Sequence, residues 1–87
     1  RQQLQIEHAP HISFEAKQVK LADKIANLRD LLHAPPVDWS IDRKREYFQW
    51  AASVVQGLRG TNEILEKIFD DLYVQGMYRF SVKSEQL

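Results

Sequence analysis

Apolar residues along the chain recur at helical spacing in four segments, and no stretch alternates in the manner of a strand. The clearest run is Leu21, Ile25, Leu28 and Leu32, at steps of 4, 3 and 4, which is one helical face. Val19, Ala22 and Ala26 add a second strip of smaller residues. Apolar surface on two sides predicts a helix buried in the middle of a domain. Ser13 is a good N-cap for it, with Glu15 in the first turn where the helix dipole favours negative charge. The helix runs to about His33, because Pro35-Pro36 forbids continuation. Ahead of it, residues 1 to 8 read as a weakly amphipathic helix with Leu4 and Ile6, ended by Pro10. Residues 34 to 39, APPVDW, form a rigid loop. Ser40 caps the third helix, with Asp42 in its first turn. That helix carries Tyr47, Phe48, Ala51, Val54, Val55 and Leu58, and Gly60 ends it. Thr61 or Asn62 caps a fourth helix with Ile64, Leu65, Ile68, Phe69 and Leu72, and Gly76 stops it. Residues 77 to 87 have no period and are expected to be a flexible tail. The pattern predicts an all-α bundle of about four helices in one domain over residues 1 to 76.

Composition narrows the class. In 87 residues, 44% are hydrophobic and 28% charged, enough for one small core and against full disorder. Twelve basic and 12 acidic residues give a net charge of +0, which argues against a nucleic-acid surface. With no cysteine there is no disulfide framework and no thiolate metal site. No apolar run approaches the roughly 20 residues of a membrane span. The first residues, RQQLQIEH, do not resemble a signal peptide, so a cytoplasmic location is expected.

Two constellations could carry chemistry. At about 100° per residue, Lys20, Asp23, Asn27 and Asp30 fall in one stripe of the second helix, with Val19 and Ala26 at its edge. A carboxylate beside apolar surface is costly unless paired or bound to a metal. A salt bridge of Asp23 with Lys20 or Lys24, or a solvated stripe, competes with the metal reading, since one Asp and one Asn cannot hold a metal alone. Arg43 and Tyr47 stand at i and i+4 near the start of the third helix, where free N–H groups favour anions. Arg offers a bidentate fork for phosphate, and Tyr a flat ring with a hydroxyl. The plain alternative is an Arg stem packed on a surface Tyr. His8 and His11 are separated by Pro10, which argues against a shared ligand face, and neither they nor His33 precedes an Asp. Trp39 and Trp50 read as packing anchors. No phosphate-binding glycine loop, nucleophile elbow or zinc-protease motif is present.

The stretch VKLADKIANLRDL, residues 19 to 31, resembles the last metal-binding motif of the HD-domain hydrolases of the RelA/SpoT group. EYFQWAASVVQGLRGTN, residues 46 to 62, and the opening RQQLQIEHAPH narrow the resemblance to the group's small animal members. It covers about residues 1 to 73. It implies the C-terminal half of an all-α HD-domain fold built around one Mn²⁺. Asp23 matches the late Asp ligand, Asn27 the Asn near the nucleotide sugar, and Arg43 and Tyr47 the pair facing substrate phosphate and nucleotide. The family's first His, its His-Asp pair and its water-assisting acids lie upstream, so no catalytic residue is identifiable here. Ala26 stands where the family commonly has an aromatic residue. The implied reaction is Mn²⁺-assisted removal of the 3′-diphosphate of guanosine tetraphosphate (ppGpp), giving GDP and pyrophosphate, as in the stringent response. The 2′-phosphate of NADPH is an alternative substrate for the same chemistry. The alternative from another class is a catalytically silent helical module that acts by protein interaction. An exposed apolar helix face would allow self-association.

Overall fold

The structure is a computed structural model that describes residues 1–81. Helix α1 (Gln2–His8) leads into a 3-10 turn (Ala9–His11), followed by α2 (Phe14–His33), α3 (Ile41–Gln56) and α4 (Glu63–Arg79). There is no strand among the described residues. Side chains fix three helix starts. The Ser13 hydroxyl accepts from the Ala16 N–H at 3.1 Å, the Ser40 hydroxyl from the Arg43 N–H at 3.0 Å, and the Asn62 side chain from the Leu65 N–H at 3.0 Å. Asn62 is thus the cap of α4. Thr61 instead donates its hydroxyl to the Leu58 carbonyl at 2.8 Å.

Two glycines take roles other than those expected. Helix α3 ends at Gln56 with Gly57 as its cap, and Gly60 sits in the α3–α4 link at φ 87°, where side chains are disfavoured. Gly76 does not stop α4. The helix passes through it to Arg79, and a Cβ at residue 76 would overlap the Phe48 ring. Glycine is there for close approach, which a sequence pattern does not separate from a stop. Residues 77 to 79 are therefore helical, and Phe80 is buried against Phe48 at 5.7 Å between ring centroids. The flexible tail expected from residue 77 is therefore not found at residues 77 to 80. Its remainder, residues 82 to 87, lies outside the described residues.

Helices α2 and α4 pack most extensively, and α3 lies against both. The fully buried centre holds Leu21, Leu28, Phe48, Val54, Leu58 and Phe69. Helix α2 buries Leu21, Lys24, Ile25, Leu28, Leu31 and Leu32 on one side. Its strip of small residues faces outward: Val19 is 69% exposed, and Ala22 and Ala26 are exposed. The expectation of burial on two sides is not met among the described residues, because α3 and α4 both cover the same face.

Polar contacts tie the ends together. Trp50 donates its indole N–H to the Gln2 carbonyl at 3.1 Å, fastening α1 to α3. Gly57 lies under the 3-10 turn, where a Cβ would come within 2.7 Å of Pro10 Cδ. Arg79, in the last turn of α4, donates to the Leu32 carbonyl at the end of α2. Arg45 bridges the Phe80 carbonyl at 3.1 Å and Asp42 at 2.7 Å. These contacts hold the 34–39 loop between fixed ends.

Candidate functional site

The buried charge on α2 is Lys24, and its neighbour Asp23 is solvated. Lys24 is 5% exposed, whereas the Asp23 side chain is 62% exposed. The ammonium of Lys24 lies 4.6 Å from the centre of the Trp50 ring, 3.4 Å from Gln5 Oε1 and 3.7 Å from Asp23 Oδ2. Burial pulls its pKa below the ordinary lysine value, and the Asp23 carboxylate opposes that in part. Asp23 also accepts from the Asn27 amide at 3.5 Å. The expected ion pair of Asp23 is therefore with Lys24. The expectation of a carboxylate set into apolar surface is corrected: the residue that α2 turns inward is the lysine, whose long stem supplies the apolar contact.

The stripe continues onto a shelf formed with α3. Asn27, Asp30, Leu31, Trp39 and Tyr47 line a hollow of about 230 Å³. Trp39 and Tyr47 also wall a second hollow of about 340 Å³, completed by Gln2, Arg43 and Glu46. The two hollows meet at that aromatic pair, whose ring centroids are 6.0 Å apart. Trp50 lies 5.3 Å beyond Tyr47, so three rings run in a row. At the far end, the Arg43 guanidinium lies over the Trp39 ring, 4.1 Å from its centroid. Burial raises the pKa of the Tyr47 hydroxyl. The Asn27 side chain counters this by hydrogen bonding, and the charge of Asp23 adds to it. At neutral pH the phenol keeps its proton and can donate it in a hydrogen bond.

Asn27, Arg43 and Tyr47 thus come together from two helices. Asp23 lies one turn back along α2 and lines neither hollow. Trp39 belongs to the site, although its sequence context read as packing. It directly precedes the Ser40 cap, which puts its ring over the first turn of α3, and that position was the available signal. Asp30, already in the stripe, also lines the site. His8 and His11 are exposed and share no metal-binding group. No cluster of three His, Asp or Glu able to hold a metal occurs among the described residues. Asp23 offers one carboxylate, partnered by a lysine and an amide, and these residues alone do not fit a Mn²⁺ ion.

No protein-family model matches the chain. Individual proteins do. It is 60% identical over 74 residues to guanosine-3′,5′-bis(diphosphate) 3′-pyrophosphohydrolase MESH1 of Xenopus tropicalis, covering 85% of this chain and 41% of that protein. Identity to the Homo sapiens protein of the same name is 56% over 75 residues, with 86% and 42% covered. A solved structure, described as a metazoan ortholog of SpoT that hydrolyzes ppGpp and plays a role in starvation responses, aligns with TM-score 0.81 and 49% identity. The alignment covers 86% of this chain and 42% of that one. The chain resembles the guanosine-3′,5′-bis(diphosphate) 3′-pyrophosphohydrolases. It spans about two fifths of the length of the pyrophosphohydrolases it matches. The expected fold, an all-α bundle of four helices forming part of an HD-type fold, is the one observed.

Proposed function

We propose that this chain supplies the nucleotide- and phosphate-facing shelf of a guanosine-3′,5′-bis(diphosphate) 3′-pyrophosphohydrolase that converts ppGpp to GDP and pyrophosphate. The observation that carries this is the meeting of Asn27, Tyr47 and Arg43 along one aromatic-walled surface, with Asp23 one turn away. Arg43 is exposed, and no ion pair among the described residues includes it, so its N–H groups are available to phosphate oxygens. Tyr47 offers a protonated hydroxyl and a ring face, and Asn27 an amide for a sugar hydroxyl. In the complete domain, Asp23 is one carboxylate ligand of Mn²⁺, and the remaining ligands come from outside the described residues. The same shelf suits the 2′-phosphate of NADPH. A soluble cytoplasmic enzyme acting in a starvation or stringent-type response is the setting this reading implies.

The test uses the full-length protein. Asp23→Asn keeps size and removes charge, so it should lose Mn²⁺ by elemental analysis and nearly all turnover while the fold survives. Arg43→Ala should keep the metal and weaken substrate binding, raising KM by roughly tenfold or more, the scale of a lost charge-assisted hydrogen bond. A full complement of Mn²⁺ in Asp23→Asn would sink the ligand assignment and leave the Lys24 ion pair as the role of that carboxylate. A second reading, a catalytically silent module, is favoured by the ion pair that already engages Asp23 with Lys24 at 3.7 Å. It predicts that neither substitution changes any activity of the full-length protein.

A further inference from the structure

The guanidinium of Arg43 rests on an aromatic face and not on a carboxylate. Arg45 is paired with Asp42 at 2.7 Å and Arg59 with Asp70 at 2.7 Å. Arg43 has no such carboxylate among the described residues, and what fixes its head group is the face of Trp39, 4.1 Å away. Trp39 is itself half-buried, tilted at 55° to Tyr47 and set immediately before the Ser40 cap of α3. A carboxylate partner would occupy the N–H fork that phosphate needs. An indole face leaves every N–H at the edge of the guanidinium free while restricting where the group points. Arg43 carries several rotatable bonds, and ordering them at the moment of binding costs affinity unless it is done beforehand.

We propose that Trp39 is a positioning residue. It pre-orders the Arg43 guanidinium by stacking, so that the fork faces the hollow shared with Tyr47 and binds a diphosphate group there. The inference rests on the reading of Arg43 as the phosphate contact and adds the residue that aims it. Trp39 makes no phosphate contact of its own.

The experiment uses the 87-residue chain and inorganic pyrophosphate, followed by NMR at the Arg43 side-chain Nε–H. In the unsubstituted chain, the ring current of Trp39 should move the Arg43 side-chain signals upfield, and pyrophosphate should move the Nε–H signal downfield in a saturable way as it donates to a phosphate oxygen. Trp39→Leu should abolish the ring-current shift and weaken pyrophosphate binding at Arg43 by roughly two- to fivefold, the scale of one exposed cation–π contact. Trp39→Phe, which keeps a smaller ring, should restore part of both. Unaltered affinity in Trp39→Leu, with the ring-current shift gone, would overturn the proposal and leave Arg43 as the phosphate contact. If Trp39→Leu fails to fold, the same criterion applies to Trp39→Phe. An Arg43 signal in the unsubstituted chain that does not respond to pyrophosphate would overturn the phosphate reading itself, and the aiming role with it.

Discussion

A single carboxylate, that of Glu66, accepts the backbone N–H groups of Gly60, Thr61 and Asn62 at 2.9, 3.1 and 3.2 Å and lies 3.5 Å from Arg59. Burial alone would raise its pKa, but the three amides and the guanidinium outweigh it and bring the value below the ordinary 4.5. A carboxyl whose pKa is lower folded than unfolded stabilises the fold above its unfolded value. That stabilisation is lost as pH falls through the folded value. The contribution of Glu66 to stability should therefore be constant from pH 7 to about pH 5 and be lost below about pH 4.5. Glu66→Gln should remove part of that acid dependence and cost about 1 kcal/mol at neutral pH. Thermal melts across pH check both, and an identical acid slope in the two proteins would contradict the assignment. Single residues were also where the sequence was hardest to read. Asp23 and Lys24 are adjacent, and a rotation of about 100° decides which one faces the core. The general preference of lysine for the surface pointed the wrong way, because Trp50 and Gln5, which accept the ammonium, come from other helices.

At the level of helices, Ser13 and Ser40 were legible as caps because the cap is a local hydrogen bond between neighbours in sequence. Gly76 was not, because its reason is a ring 28 positions earlier in the chain. Alanine in a helix interior is ordinarily up to about 1 kcal/mol better than glycine. Here the added methyl meets Phe48, which is 0% exposed and has no room to move. Gly76→Ala should thus reverse the usual sign and destabilise by about 1–3 kcal/mol. Denaturant unfolding measures this directly, with the exposed Gln75→Ala as a reference that lacks the clash. A stabilised Gly76→Ala would mean that α3 and α4 are less closely packed than described. The pairing of Arg43 with Trp39 was likewise out of reach of periodicity, because it joins a loop residue to the first turn of the next helix.

For the molecule as a whole, the four-helix plan was readable from apolar spacing, whereas the covered side of α2 depended on where α3 and α4 dock. Val19 and Phe14 on α2 and Leu4 on α1 are left at 69%, 56% and 52% exposure. Apolar exposure of this kind favours association. Sedimentation velocity should show concentration-dependent self-association of the chain, and a strict monomer with a sharp cooperative melt would count against it. The purified chain should also release no pyrophosphate from ppGpp with added Mn²⁺, since one carboxylate cannot hold the ion. Detectable Mn²⁺-dependent release would show otherwise. The setting of Lys24 has a kinetic meaning as well. Its amine is shut beneath Trp50 and Gln5, and both contacts are made or backed by α1, through Gln5 itself and through the Gln2 carbonyl that receives the Trp50 indole. An amine-directed acylating reagent can reach that nitrogen only while α1 is lifted away. The rate at which Lys24 is acylated, set against the exposed Lys67, therefore works as a clock for how often the first helix leaves the body of the protein.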